Sequence, residues 1–85
     1  MSEIPEYIVT DGWSKGESWF VAVRRPTGSL RRVCSPMLPV RSTRAEVLAD
    51  LDRWLAFRIY GDVRTTAAQR EPLGRQLKRL RGETA

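Results

Sequence analysis

The chain has 85 residues and a formal net charge of +5, which is the length of one domain burying only about 60% of its unfolded surface. No run approaches the ~18 apolar residues of a membrane span, and the start, MSEIPEYIV, lacks the basic-then-apolar pattern of a signal peptide, so a cytoplasmic protein without membrane contact is expected. There is no histidine, and Cys34 is the single cysteine. An internal disulfide, a four-ligand zinc site and every Ser-His or Cys-His nucleophile are therefore excluded, and the expectation is a non-enzyme with no metal and no cofactor.

In chain order, EYIVTDG (6–12) has a β-branched centre ending in Asp-Gly, which predicts a first strand and a turn. WSKGES (13–18) is polar and glycine-bearing, hence a loop. WFVAVRR (19–25) predicts a central strand with Trp19, Val21 and Val23 on one face and Phe20, Ala22 and Arg24 on the other. Pro26 and Gly28 then supply a turn, and LRRVC (30–34) returns as a third strand. Cys34 is expected to be a small, half-buried strand residue; the alternative is a reactive thiol exposed beside the arginines.

SPMLPV (35–40) carries two prolines three apart, which predicts an extended, polyproline-like crossing with Met37, Leu38 and Val40 over the core edge. A helix over 43–60 follows. Thr43 and Glu46 form a capping box, with Ser42 as the competing cap. Val47, Leu48, Leu51, Trp54, Leu55 and Ile59 recur at helical spacing. Gly61 is expected to end the helix, and Arg44, Asp50, Arg53 and Phe57 to face out. Beyond it, Thr66 and Gln69 read as a second cap, with a break near Glu71 or a fresh start at Pro72. Leu73, Leu77 and Leu80 form a narrow stripe there.

The pattern predicts an α+β fold: a three-stranded antiparallel sheet backed by one amphipathic helix, plus a basic C-terminal helix. The division expected is a sheet-plus-helix unit over 1–62 and a basic helical extension over 63–85, within a single domain overall.

Charge is unevenly spread. Residues 1–23 carry −3, residues 24–44 +6, residues 45–63 −2 and residues 64–85 +4. The only lysines are Lys15 and Lys78, so thirteen of the fifteen basic residues are arginine. Guanidinium forks suit phosphate, base edges and carboxylates; a general arginine bias in the coding sequence is the alternative explanation. Asp50 with Asp52, and Glu46 with Asp50, read as solvated helix surface rather than paired catalytic carboxylates. GWSKGES lacks the spacing and the following helix of a phosphate loop.

The candidate binding residues are Arg24, Arg25, Arg31 and Arg32 of the hairpin together with Arg41, a second group of Arg75, Lys78, Arg79 and Arg81, and Trp13 beside Lys15. Arginines with no acidic neighbour repel one another until an anion arrives. A two-stranded ribbon fits the DNA major groove. Charged strand ends also blunt edge pairing, which is the structural alternative. Trp19, Phe20 and Trp54 are expected in the core; an exposed Trp13 would anchor a protein interface or stack on a base.

Three short strands, a Pro-Gly turn and a helix beginning STRAEVLADLDRWL resemble the arm-type, AP2-like DNA-binding domains of phage integrases, over residues 19–55. The resemblance implies a sheet that enters the major groove with the helix behind it. The insertion at 36–40 and the lack of a following catalytic domain depart from that family. The chain is also similar to small orphan proteins of phages and mobile elements, such as anti-CRISPR proteins. The leading expectation is a non-enzymatic module that binds nucleic acid, DNA favoured. The alternatives are an inhibitor of an acidic or nucleic-acid-binding protein complex, and a virion assembly protein dimerising through Leu73, Leu77 and Leu80.

Overall fold

The computed structural model describes residues 5–84. Strands β1 (Tyr7–Thr10), β2 (Phe20–Arg24) and β3 (Leu30–Arg32) form an antiparallel sheet in the order β1-β2-β3. Helix α1 (Arg44–Ala56) runs into a π-helical turn (Phe57–Gly61), and α2 (Ala67–Thr84) follows. The chain has the α+β architecture its periodicities predict.

β2 is central because β1 and β3 each pair with it antiparallel, one on each edge. Val9 pairs with Val21 on one side, and Val23 pairs with Arg31 on the other. The β2–β3 turn has an Arg25 C=O that accepts from Gly28 N–H at 2.8 Å. Pro26 fills the position that wants φ near −65°, and Gly28 takes φ 91°, the left-handed residue of a three-residue hairpin loop. Trp19 exchanges both backbone hydrogen bonds with Arg41, at 2.7 and 2.8 Å, so the chain comes back to the same edge of β2 that β3 leaves.

The excursion between those two pairings departs from the extended crossing predicted for 35–40. Leu38 N–H donates to Ser35 C=O at 3.0 Å, closing a turn that drops Leu38 into the core at 1% exposure, while Met37 and Val40 stay outside. Cys34 lies past the end of β3 and is exposed, not a half-buried strand residue.

Thr43 caps α1 by accepting Glu46 N–H, and Glu46 receives the Thr43 and Ser42 hydroxyls in return. The helix does not end through a left-handed Gly61. Its last turn widens, Asp62 N–H reaches back to Phe57 C=O at 2.9 Å, and the Phe57 ring packs where a Gly61 side chain would stand. Asp50, predicted to face out, is instead 3% exposed. Arg41, brought alongside by its pairing with Trp19, donates to it at 2.8 Å, and Arg53 adds a 3.5 Å contact.

α2 is one helix where a break or a restart was predicted. Its start is the Thr66/Gln69 box, with each side chain bonded to the other's backbone N–H. Pro72 sits inside it. A proline costs about 3 kcal/mol in a helix interior, whereas burying leucine side chains returns about 1.5–3 kcal/mol each. Leu73, Leu77 and Leu80 are all buried in the same core as Val21, Leu51 and Leu55, so packing outweighs the lost bond. That burial also corrects the predicted dimer arm: the leucine stripe is occupied within one chain. Gln76 fixes α2 against the sheet edge, where its Oε1 accepts Tyr7 N–H at 3.1 Å and its Nε2 donates to Pro5 C=O at 2.8 Å.

Leu73→Ala is expected to lower the unfolding free energy by about 2–5 kcal/mol in a denaturant titration. Ending the chain after Glu71 should abolish the cooperative transition altogether, because it removes all three leucines.

Candidate functional site

The sheet has two unlike faces. Val21, with Tyr7, Val9, Trp19 and Val33, turns toward the helices and the core. Alternation puts Ile8, Phe20, Ala22, Arg24, Leu30 and Arg32 on the other face, where Ala22 stands between Ile8 and Arg32 and Arg24 lies opposite Leu30. Ala22 is fully buried yet lies outside the helix-side core, covered by its larger sheet neighbours, while Leu30 is exposed. Phe20, expected in the core, lies outside the core cluster on this face together with Leu30, and neither stood among the site residues read from the sequence. Alternation separated the two faces but could not say which one the helices would cover.

The four hairpin arginines do not share one face. Arg24 and Arg32 lie on the open face, Arg25 begins the turn, and Arg31, paired with Val23, falls on the helix side. All four are exposed, and among the described residues none forms an ion pair. The other candidates differ. Arg41 is held by Asp50, whose hydrogen bond and charge raise the guanidinium pKa further. Arg75 pairs with Glu71 at 3.3 Å, Arg79 with Glu6 at 2.9 Å and Arg81 with Asp52 at 3.0 Å. Lys78 is exposed on the same helix. Acidic residues thus interleave with the C-terminal basic group.

Trp13 stands at the opposite end of the sheet, in the β1–β2 connection. Gly12 and Trp13 take φ 54° and 73°, and Asp11 C=O accepts Ser14 N–H at 3.0 Å, which together describe a type I′ turn. Asp11 holds it through Oδ2, which accepts Gly16 N–H at 3.0 Å, and Oδ1, which faces Trp13 N–H at 3.4 Å. Ser14 Oγ exchanges hydrogen bonds with Ser18 at 3.0 and 2.9 Å, and the Trp19 indole donates to Gly16 C=O. A bulky residue at positive φ costs of order 1–3 kcal/mol. Trp13 bears that cost with a side chain 96% exposed.

A third region lies at the end of α1. An open groove of about 630 Å³ is lined by Cys34, Met37, Trp54, Phe57, Asp62 and Thr65. Tyr7 meets Trp54 edge-on at 4.8 Å, and Arg58 covers the Trp54 ring at 5.2 Å. Arg58 Nε and Thr65 Oγ1 are buried there without a hydrogen-bond partner among the described residues. Tyr60 and Val63, close by in the chain, are highly exposed. Among the described residues no helix is long and apolar enough to cross a membrane.

No protein-family model, curated protein or solved structure matches this chain.

Asp62 is buried, and its carboxyl pKa lies below the ordinary value because the Arg64 side chain and backbone N–H donate to it; burial opposes the shift. A depressed carboxyl stabilises the fold above its unfolded pKa of about 4, and that contribution is lost as pH falls through the lower folded value. Asp62→Asn is therefore expected to flatten the acid side of a plot of melting temperature against pH, with little change in its shape above neutrality.

Proposed function

We propose that the protein is a small non-enzymatic nucleic-acid-binding module, DNA favoured, that contacts phosphate through its β2–β3 hairpin. One observation carries the reading: Arg24, Arg25, Arg31 and Arg32 stand exposed without acidic partners, while the arginines elsewhere are largely spent on Asp and Glu. Clustered guanidinium groups with no counter-charge raise the local potential and draw a polyanion. Placing them at a hairpin tip, two on the open face and one behind it, lets the turn straddle a phosphate backbone. Arg75, Lys78, Arg79 and Arg81 form a weaker second contact, since exposed ion pairs are worth little and can exchange a carboxylate for a phosphate. Arg41, committed to Asp50 at the other end of the sheet, contributes least. The resemblance to sheet-in-groove integrase arms agrees with a sheet whose outer face exposes Arg24, Leu30 and Arg32.

A second reading, an inhibitor in the manner of anti-CRISPR proteins that binds a protein complex, is favoured by the exposed Phe57, Tyr60 and Val63 beside the Met37 groove. Exposed aromatic and aliphatic side chains of this kind anchor protein interfaces.

Fluorescence anisotropy of labelled DNA at two salt concentrations separates the two. A nucleic-acid module should bind at low salt and lose affinity as salt rises. Replacing Arg24 and Arg32 with Gln should reduce the log–log salt slope by about 0.7–0.9 for each phosphate contact removed. Replacing Arg75 and Arg79 should change it less. Absence of binding at low salt would eliminate the proposal and leave the protein-binding reading.

A further inference from the structure

Resting on the phosphate-contact part of that reading and not on the likeness to groove-binding sheets, we infer that Trp13 is a stacking platform for an unpaired base, so that the ligand class is single-stranded nucleic acid running across the open sheet face. The Trp13 side chain is 96% exposed and contributes nothing to the core, and its φ of 73° suits glycine better than any bulky residue. The fold would be at least as stable with glycine there. The loop nevertheless holds it firmly, with Asp11 gathering the Gly16 and Trp13 N–H groups, Ser14 bonded to Ser18, and the Trp19 indole tying down Gly16. A large aromatic surface is thus displayed on an ordered support.

Its position gives the ligand. Gly12, next to Trp13, lies so close over the Phe20 ring that a side chain there would stand 2.6 Å from it, and Phe20 belongs to the open face. From Phe20 along β2 to Arg24 is roughly 14 Å of extended strand. Along that line come Leu30 and the unpaired Arg32 and Arg24, with Lys15 exposed beside Trp13 at the far end. Cationic groups along a track with an aromatic ring at its end match a strand whose phosphates follow the charges and whose base is free to stack. Bases inside a duplex are stacked on one another and offer no free face to an indole.

The test uses the full chain and labelled oligothymidylate of about ten residues, within the ~4–16-nucleotide range of such sites, with a duplex of similar length as comparison. Trp13→Gly should keep or raise the melting temperature, because it relieves the positive φ. It should weaken single-strand binding about ten-fold, leave duplex binding unchanged and remove the part of the intrinsic fluorescence quenched by the oligonucleotide. Trp13→Phe should retain most of the affinity. Unchanged single-strand affinity in Trp13→Gly would overturn the inference and leave the indole to a protein pocket. An equal loss for single strand and duplex would overturn the preference for an unpaired base. Failure of the wild-type chain to bind either nucleic acid at low salt would instead defeat the phosphate-binding reading on which it rests.

Discussion

Seating of the α2 leucines against α1 and the helix side of the sheet is the contact from which the rest of the structure follows. A chain of 85 residues builds one small core, and the helices supply it from one side of the sheet. Leu73, Leu77 and Leu80 join Leu51, Leu55 and Val21 on one side, and Gln76 reaches past them to occupy the backbone of β1 where an edge strand would otherwise lie open. The other face of the sheet is left to its own side chains. Arg24, Arg32 and Leu30 are therefore exposed as a consequence of where the helices spend their apolar surface.

The same packing sorts the charges. α2 lies beside β1 and α1, within reach of Glu6 and Asp52, so Arg79 and Arg81 find carboxylates there. The pairing of Trp19 with Arg41 brings that guanidinium over α1 and turns Asp50 from a surface acid into a buried partner. The β2–β3 turn projects away from the helices and meets no acid among the described residues. Four arginines without a carboxylate partner among the described residues are thereby gathered at one hairpin, the feature on which the proposed polyanion binding rests.

Two features stand apart from core formation. The Asp11–Ser18 loop bears a strained, exposed tryptophan held by side-chain hydrogen bonds, and the α1 end widens into a π turn beside a groove where Thr65 Oγ1 is buried without a hydrogen bond and Arg58 Nε faces Asp62 at 3.7 Å. Local departures from regular geometry of both kinds concentrate at working sites, because the surrounding structure must stabilise them. In the loop, the backbone is held by Asp11, Ser14 and Trp19 rather than by the Trp13 side chain, so the fold does not itself call for a tryptophan there.

The sequence by itself determined what short-range chemistry can specify. Alternation in WFVAVRR, the Pro-Thr-Gly turn, the Thr43/Glu46 box and the leucine spacing each act within a few residues, and each element formed where those signals lie. It also carried the hairpin arginines and Trp13 as candidates. Tertiary structure alone decided which sheet face would stay open, that α2 would continue through Pro72, that Asp50 would be buried and that the leucine stripe would serve the core rather than a second copy. The physical reason is range. A turn or a cap is fixed by neighbours along the chain, whereas burial and counter-charge depend on residues that meet only after the helices dock. The bond between Gln76 and Tyr7, 69 positions apart, is the clearest case.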